Sequence, residues 1–340
     1  MQRPVMNPMD LGDPEPSPRR AIPWRKVGHG LCIALRWLCR TLLTDPRDWG
    51  RGGLPVEDGT LLARFLRGLL YRLAFIPVLV MLAVCALVYC GTHPRIAAAE
   101  IDPFVQGVYY DPVNFISEDG WPLDAWLVPV VDARRILADG DSALHRKWPA
   151  VVLVHGHYAT RSQMLPLVKP LHEEGWIVLV LAVRGSATAN PQGRTFGLNE
   201  SEDVRAALAM LRRRPFVDAR RLAVVGVETG ANAALLAAER DPAPVAIVLD
   251  APVSSAEDAI ERFIAPPQPY LKWLGPLCKW AFDLAYAKDI DEIDMMRHTR
   301  TLAGRASVVN DGGDGSNLSP AAVGRILTFL REAFAKVPPA

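Results

Sequence analysis

The sequence predicts an α/β protein, a mostly parallel, doubly wound sheet that carries a helical cap insertion and is preceded by one transmembrane helix. Three observations predict it. From residue 148 onward, short apolar runs without polar alternation each lead into a segment of helical periodicity, the pattern of strands covered on both faces. One such run enters Gly226-Val227-Glu228-Thr229-Gly230 and then an alanine-rich stretch, a sharp strand–turn–helix. Ahead of these, residues 73–90 are uncharged and apolar, about the roughly 17–25 residues a spanning helix needs.

Residues 1–72 carry twelve Lys/Arg against seven Asp/Glu and read as a basic, partly disordered cytoplasmic segment. Residues 1–24 are rich in Pro, Arg and Asp, a composition that buries too little to fold. Residues 27–43 set Arg36 and Arg40 on one side of an apolar helix, suited to the inner membrane interface or to a small packed cytoplasmic helix. Pro77 falls near the first turn of the apolar run, where proline costs little. Arg64, Arg67 and Arg72 precede the run, and after Arg95 no Lys or Arg occurs until Arg134. This places the N-terminus in the cytoplasm and residues 91–340 outside it, in the periplasm of a bacterium. The lipid bilayer is thus the expected partner, through 73–90, with a linker over 91–104 and the main domain over 105–337.

Within the main domain, strands at 109–116 and 121–131 flank the turn Glu118-Asp119-Gly120. Further strands lie at 148–154, ending in His155-Gly156, and at 176–183, ending in Arg184-Gly185. Two more lie at 222–226 and at 245–249, the last ending in Asp250-Ala251-Pro252. Helical patterns fill 162–174, 200–213 and 230–240; the second aligns Val204, Ala207, Leu208 and Leu211. Residues 254–299 form the cap. It is broken by Pro266-Pro267-Gln268-Pro269 and carries a stripe of Trp273, Leu277, Trp280, Ala281 and Leu284 that is expected to pack on the core, or, if exposed, to form a partner or membrane surface. A helix at 321–335 closes the chain.

The formal net charge of +1 over 340 residues gives no reason to expect a nucleic-acid partner. Of five cysteines, Cys32, Cys39, Cys85 and Cys90 precede the domain and only Cys278 lies in it, so the domain forms no internal disulfide. No CxxC pair occurs, and no cofactor or resident metal is assigned.

Five motifs in order resemble the α/β hydrolases, in particular their serine aminopeptidase-like and prolyl-oligopeptidase-like branch. They are Pro149-Ala150-Val151-Val152-Leu153-Val154-His155-Gly156, then Val183-Arg184-Gly185-Ser186, then Asn199 through Ala207. Phe216-Val217-Asp218-Ala219-Arg220-Arg221-Leu222 follows, and last comes the turn around Glu228. The resemblance spans residues about 105–335 and implies that Glu228 occupies the nucleophile elbow, whose central residue is normally serine. It also implies a degenerate triad. The only histidine after Glu228 is His298, in a helical segment ahead of a strand rather than after the last one. Asp314, in Asn310-Asp311-Gly312-Gly313-Asp314, matches either the acid or the position of the missing histidine. The oxyanion pocket would be built from His155, Gly156, His157 and Tyr158 with the Thr229 N–H as second donor, and Gly226 and Gly230 would be the elbow glycines. Nothing in the sequence suggests a base beside Ser254 and Ser255, and Ser186, after Arg184-Gly185, reads as a turn residue.

Acyl transfer needs a nucleophile, a base and an orienting acid, and two of these roles lack their side chain. The expected function is therefore binding or assembly by a membrane-anchored, hydrolase-like pseudoenzyme. The alternative is an active hydrolase, esterase- or peptidase-like, that uses Glu228 as nucleophile or base with a neighbour such as His157. A third reading gathers His155, His157, Glu228 and Asp314 around zinc.

Overall fold

The computed structural model describes residues 73–94, 100–130, 146–186, 192–265, 268–302, 304–309 and 318–338. The chain falls into two compact units, Met1–Leu79 and Val80–Ala340. Of the first, only residues 73–79 are described. Asp314, and the expectations for residues 1–72, lie outside the described residues.

Helix α1 is Ile76–Thr92. The apolar run thus forms the helix its composition calls for, and the expected membrane span is not found among the described residues. It has 17 residues, which at about 1.5 Å each fall short of the roughly 30 Å hydrocarbon core. Among the described residues no helix is long and apolar enough to cross a membrane. Val84, Val88, Gly91 and Thr92 are buried, and the two valines join the cap's own hydrophobic cluster.

Seven strands follow: β1 (Asp111–Ile116), β2 (Pro122–Val128), β3 (Trp148–Val154), β4 (Ile177–Ala182), β5 (Val217–Val227), β6 (Pro244–Asp250) and β7 (Ala306–Val309). They form one sheet in the order β1-β2-β4-β3-β5-β6-β7. β2 pairs antiparallel with β1 and with β4, and all other pairs are parallel. The period-two rule splits the strands between two cores. Ala150, Val152 and Val154 of β3, with Ile177, Leu179 and Leu181 of β4, enter one cluster; Val151, Leu153, Val178 and Val180 enter the other. Helices α2 (Leu165–Glu173), α3 (Glu200–Arg212) and α4 (Thr229–Arg240) divide accordingly. α3 and α4 cover the first face, while α2 and the closing helix cover the second.

The cap runs from β6 to β7. It holds α5 (Ala256–Ala259), which continues as a π turn (Ile260–Ile264), then α6 (Gly275–Tyr286) and α7 (Met295–Thr301). The apolar stripe of α6 is out of phase with the core. Cys278, Ala281 and Phe282 are buried, whereas Trp273, Trp280 and Leu284 are exposed. Leu274, Cys278 and Phe282, four residues apart, continue one buried row, and Trp273, Trp280 and Leu284 fall together on the opposite face. Helix α8 (Pro320–Ala335) closes the fold; the described residues hold no strand between β7 and α8.

Two sequence motifs have structural explanations. Arg184, at the end of β4, is buried and bonds Asp203 of α3 through Nη2–Oδ1 at 2.5 Å, while its Nη1 reaches Asp119 of the β1–β2 turn at 2.6 Å. Two carboxylates hold this guanidinium protonated. Asp218 is buried and accepts the Arg220 N–H at 3.1 Å and Arg221 Nε–H at 2.7 Å. The first motif ties β4 to α3 and to the β1–β2 turn, while the second is local to β5.

Candidate active site

β5 delivers Glu228 to the sharp turn before α4 with φ 54° and ψ −117°. A non-glycine residue in this region is strained. The strain is held by backbone bonds: the Glu228 N–H donates to the Asp250 carbonyl at 2.9 Å, and its carbonyl accepts from Ala231 N–H at 3.1 Å. Gly226 and Gly230 permit the close crossing that the turn needs. A Cβ on Gly226 would meet the Gly230 carbonyl oxygen at 2.3 Å, and one on Gly230 would meet the Val154 carbonyl oxygen at 2.5 Å.

The carboxylate of Glu228 turns toward the loop after β3. Its Oε2 accepts the backbone N–H of His157 at 2.7 Å. That donor sits where the sequence analysis expects an oxyanion to bind, so the acceptor there is the protein's own side chain. Gly156 gives it room, since a Cβ at that position would lie 2.6 Å from Glu228 Oε2. Gly156 N–H is held by Gln163 Oε1 at 2.7 Å. Thr229, the expected second donor, is buried in the first turn of α4. Glu228 also occupies the N-cap position of α4, without a side-chain capping bond, where the helix dipole favours an anion.

A cation the sequence analysis did not single out completes the site. Arg194 is buried, and its Nη1 donates to the carbonyls of Gly156, at 3.0 Å, and of His157. Burial lowers its guanidinium to about 10, against the pull of Glu200 and Glu228, so it remains charged at neutral pH. The signal was a lone arginine within Gly193-Arg194-Thr195-Phe196-Gly197-Leu198, a segment too apolar for an idle surface charge. Glu200 is likewise buried and accepts from Thr195 N–H, Thr195 Oγ1 and Gly197 N–H at 2.7, 2.8 and 3.0 Å.

Both pocket histidines are held neutral, each with one ring N–H on a backbone carbonyl. His157 Nε2 is 2.7 Å from the Gly91 carbonyl and His155 Nδ1 is 2.9 Å from the Gly156 carbonyl. A carbonyl only accepts, so both nitrogens carry the hydrogen. Burial, then the charge of Arg194, pushes each imidazole down to about 3. His298, the one late histidine, lies at the far end of α4 from Glu228, paired through Nδ1 with Glu239 Oε2 at 2.7 Å. Among the described residues no group of three or more His, Cys, Asp or Glu is arranged to hold a metal ion; Asp314, the fourth member of the zinc reading, lies outside them.

α1 ends against this loop. Helix C-termini leave carbonyls without partners; here His157 Nε2 satisfies Gly91, and the Arg194 N–H satisfies Thr92 at 2.7 Å. A Cβ on Gly91 would meet the Phe263 carbonyl oxygen at 2.5 Å, so the helix is seated hard on the cap. Above Glu228, His157 lies 5.1 Å from Phe196 and 4.6 Å from Phe263, and the two phenyl rings stack at 5.1 Å. Tyr158 joins this group, 4.8 Å from His157; partial burial and the charge of Glu228 raise its phenol, keeping it protonated. A cavity of about 490 Å³ lies instead within the cap, lined by Ala256, Glu257, Ile260, Glu261, Lys272 and Lys279 among others.

The neutral histidines make stability pH-dependent. Their folded pKa lies below the unfolded value of about 6.5, so the unfolded chain binds the extra protons. The stability they contribute is present above about pH 6.5 and lost as pH falls toward 3, at up to about 1.4 kcal/mol per pH unit for each histidine. Urea titrations of the wild type and His155→Gln at pH 7, 6 and 5 should show a shallower decline in the variant. Equal slopes would mean that His155 takes up its proton without unfolding.

No protein-family model matches the chain. Over 140 residues it is 34% identical to two uncharacterized proteins of Mycobacterium tuberculosis, MT2364 of strain CDC 1551 / Oshkosh and Rv2307c of strain ATCC 25618 / H37Rv. The match takes in 41% of this chain and 44% of each relative, so the chain spans less than half the length of the curated relatives it matches. Among solved structures, the Pyrococcus furiosus esterase Pf2001 superposes with a TM-score of 0.51 at 17% identity, over 71% of this chain and 98% of the esterase. A second crystal form of the same esterase gives 0.50 at 17% identity, over 71% and 97%. At that identity the likeness speaks for architecture, and together with the strand order and the strained turn at Glu228 it shows that this chain has the α/β-hydrolase fold.

Proposed function

We propose that the chain is a membrane-associated α/β-hydrolase-like protein that binds rather than hydrolyses, its oxyanion pocket occupied by its own Glu228. The observation that carries this reading is the 2.7 Å bond from His157 N–H to Glu228 Oε2. A substrate carbonyl would have to displace a charged acceptor that His157 N–H, the α4 dipole and the nearby Arg194 all favour. Among the described residues the pocket imidazoles are poor bases, pushed down to about 3 by burial and then by the charge of Arg194, and His298 pairs with Glu239. Membrane association rests on the exposed apolar residues of α1, Val78, Leu82 and Tyr89 among them, a face of the kind that lipid or a partner covers.

The competing reading, catalysis by Glu228 as base or nucleophile, is favoured by Tyr158, a protonated phenol within the field of that carboxylate. Activated esters and aminoacyl anilides separate the two. The wild type is expected to turn over none of them, and Glu228→Ser is expected to restore nothing, because a serine without a base is a weak nucleophile. Turnover by the wild type that vanishes in Glu228→Gln would overturn the binding reading and make Glu228 a working carboxylate.

A further inference from the structure

We infer that the C-terminal end of α1 is a strap that locks Glu228 into the oxyanion pocket, so that lifting this end releases the His157 N–H to a ligand. The inference rests on the reading of Glu228 as the pocket's own occupant and adds a regulator to it.

From Val80 onward α1 belongs to the compact unit that holds the site. It reaches the site through two residues, and both also hold Glu228 in place. His157 donates its backbone N–H to Glu228 Oε2 at 2.7 Å and its Nε2–H to the Gly91 carbonyl at 2.7 Å. Arg194 donates its backbone N–H to the Thr92 carbonyl at 2.7 Å, while its guanidinium donates to the Gly156 and His157 carbonyls. Each residue thus bonds the helix end with one group and the loop beside Glu228 with another.

The imidazole depends on this contact. Among the described residues His157 Nδ1 has no hydrogen-bond partner, so the Gly91 carbonyl takes the ring's one hydrogen bond. The ring is fully buried beside Phe196 and Phe263, where a donor left unsatisfied is costly. Lifting Gly91 would strand that donor, and residue 157 would have to move to satisfy it.

The seat is close but local. A Cβ on Gly91 would meet the Phe263 carbonyl oxygen at 2.5 Å and Ile264 Cγ1 at 2.8 Å. Thr92 is buried, donates its hydroxyl to the Val88 carbonyl at 2.8 Å and is bonded by the Tyr286 hydroxyl. Val84 and Val88 join the cap's cluster with Phe196 and Phe263, and no described residue of α1 enters the two clusters that flank the sheet. The helix end can therefore lift as a local opening that leaves the sheet closed. Coupling of this kind is reciprocal: if seating α1 favours the Glu228 bond, that bond favours seating by the same free energy.

Hydrogen exchange of the full chain, read by mass spectrometry, tests both directions. Gly91→Ala forces the helix end off its seat. It should speed exchange over residues 155–159 and 193–197 by roughly tenfold, the scale of one lost buried hydrogen bond, with β3 and α3 unchanged. Glu228→Ala lies outside α1 and should speed exchange over residues 84–93 by a similar factor. Leu330→Ala, buried in the cluster on the other face, is the control for lost stability. A rise that Leu330→Ala reproduces in the same segments would overturn the strap, as would a rise confined to the mutated segment in either variant. If Gly91→Ala does not fold, the Glu228→Ala arm decides alone. The ester and anilide panel keeps the two readings apart. Turnover that vanishes in Glu228→Gln, with the coupling present, would overturn the binding reading and support the strap as a regulator of catalysis. No turnover and no coupling would overturn the strap and leave the binding reading standing.

Discussion

Replacing Arg194 with methionine is expected to destabilise the domain by about 3–5 kcal/mol, the usual cost of removing one partner from a buried charge arrangement. The guanidinium donates to the Gly156, His157 and Ala159 carbonyls, so the loop that presents His157 N–H to Glu228 loses its support. Methionine replaces the stem's volume but brings neither donor nor charge. Two carboxylates that pull on the cation, Glu200 and Glu228, are then left without it. Glu200 keeps three donors of its own, and the deficit falls mainly on Glu228. Neutralising that residue should therefore rescue part of the loss. In urea denaturation, Glu228→Gln is expected to be milder in the Arg194→Met background than alone, with a coupling of about 1–3 kcal/mol. Arg194→Lys keeps the charge without the planar fork and should fall between. A loss of only about 0.5 kcal/mol, the scale of a surface substitution, or additivity of the two changes, would show that Arg194 does not balance Glu228.

Much of this fold was legible in the sequence because a buried parallel strand leaves few alternatives. β3 occupies residues 148–154 and α3 begins at Glu200, both where the apolar runs and periodicity put them. The elbow was legible for a related reason: Gly226 and Gly230 mark a backbone crossing that few other sequences allow. What escaped depends on contacts between distant segments. Arg194 matters because three carbonyls from the loop after β3 converge on it, and no local pattern announces that. The use of His157 to cap α1 through Gly91 couples residues 66 positions apart. The helix itself was visible as an apolar run, but composition alone does not distinguish a helix with one face in a cap from one surrounded by lipid. The stripe on α6 reads as one helical row expected on the core, but its Trp280 and Leu284 lie on the face opposite Cys278 and Phe282, and only the packed neighbours decide which face turns inward. The candidate site was visible in part: the glutamate could be read directly, but its place against His157 N–H required the fold.

Gly230→Ala should have the opposite sign from the same substitution in an ordinary helix. In a helix interior, glycine is worse than alanine by roughly 0.5–1 kcal/mol. Gly324 of α8 is the control: a Cβ there meets nothing within 4 Å, so Gly324→Ala should stabilise by about that amount. At Gly230 the Cβ would lie 2.5 Å from the Val154 carbonyl oxygen and 2.6 Å from that of His155. Both are backbone atoms at the end of β3, which is buried on both faces, so neither can step aside as a flexible side chain would. Either α4 withdraws from the sheet or β3 bends, and the expected loss is on the order of 3 kcal/mol. Withdrawal of α4 would also carry Glu228 away from His157 N–H, because the residue opens that helix. Thermal melts of the two variants should therefore move in opposite directions from the wild type. If Gly230→Ala rises with Gly324→Ala, α4 does not seat against β3 as closely as drawn, and the carboxylate has room to leave the oxyanion pocket.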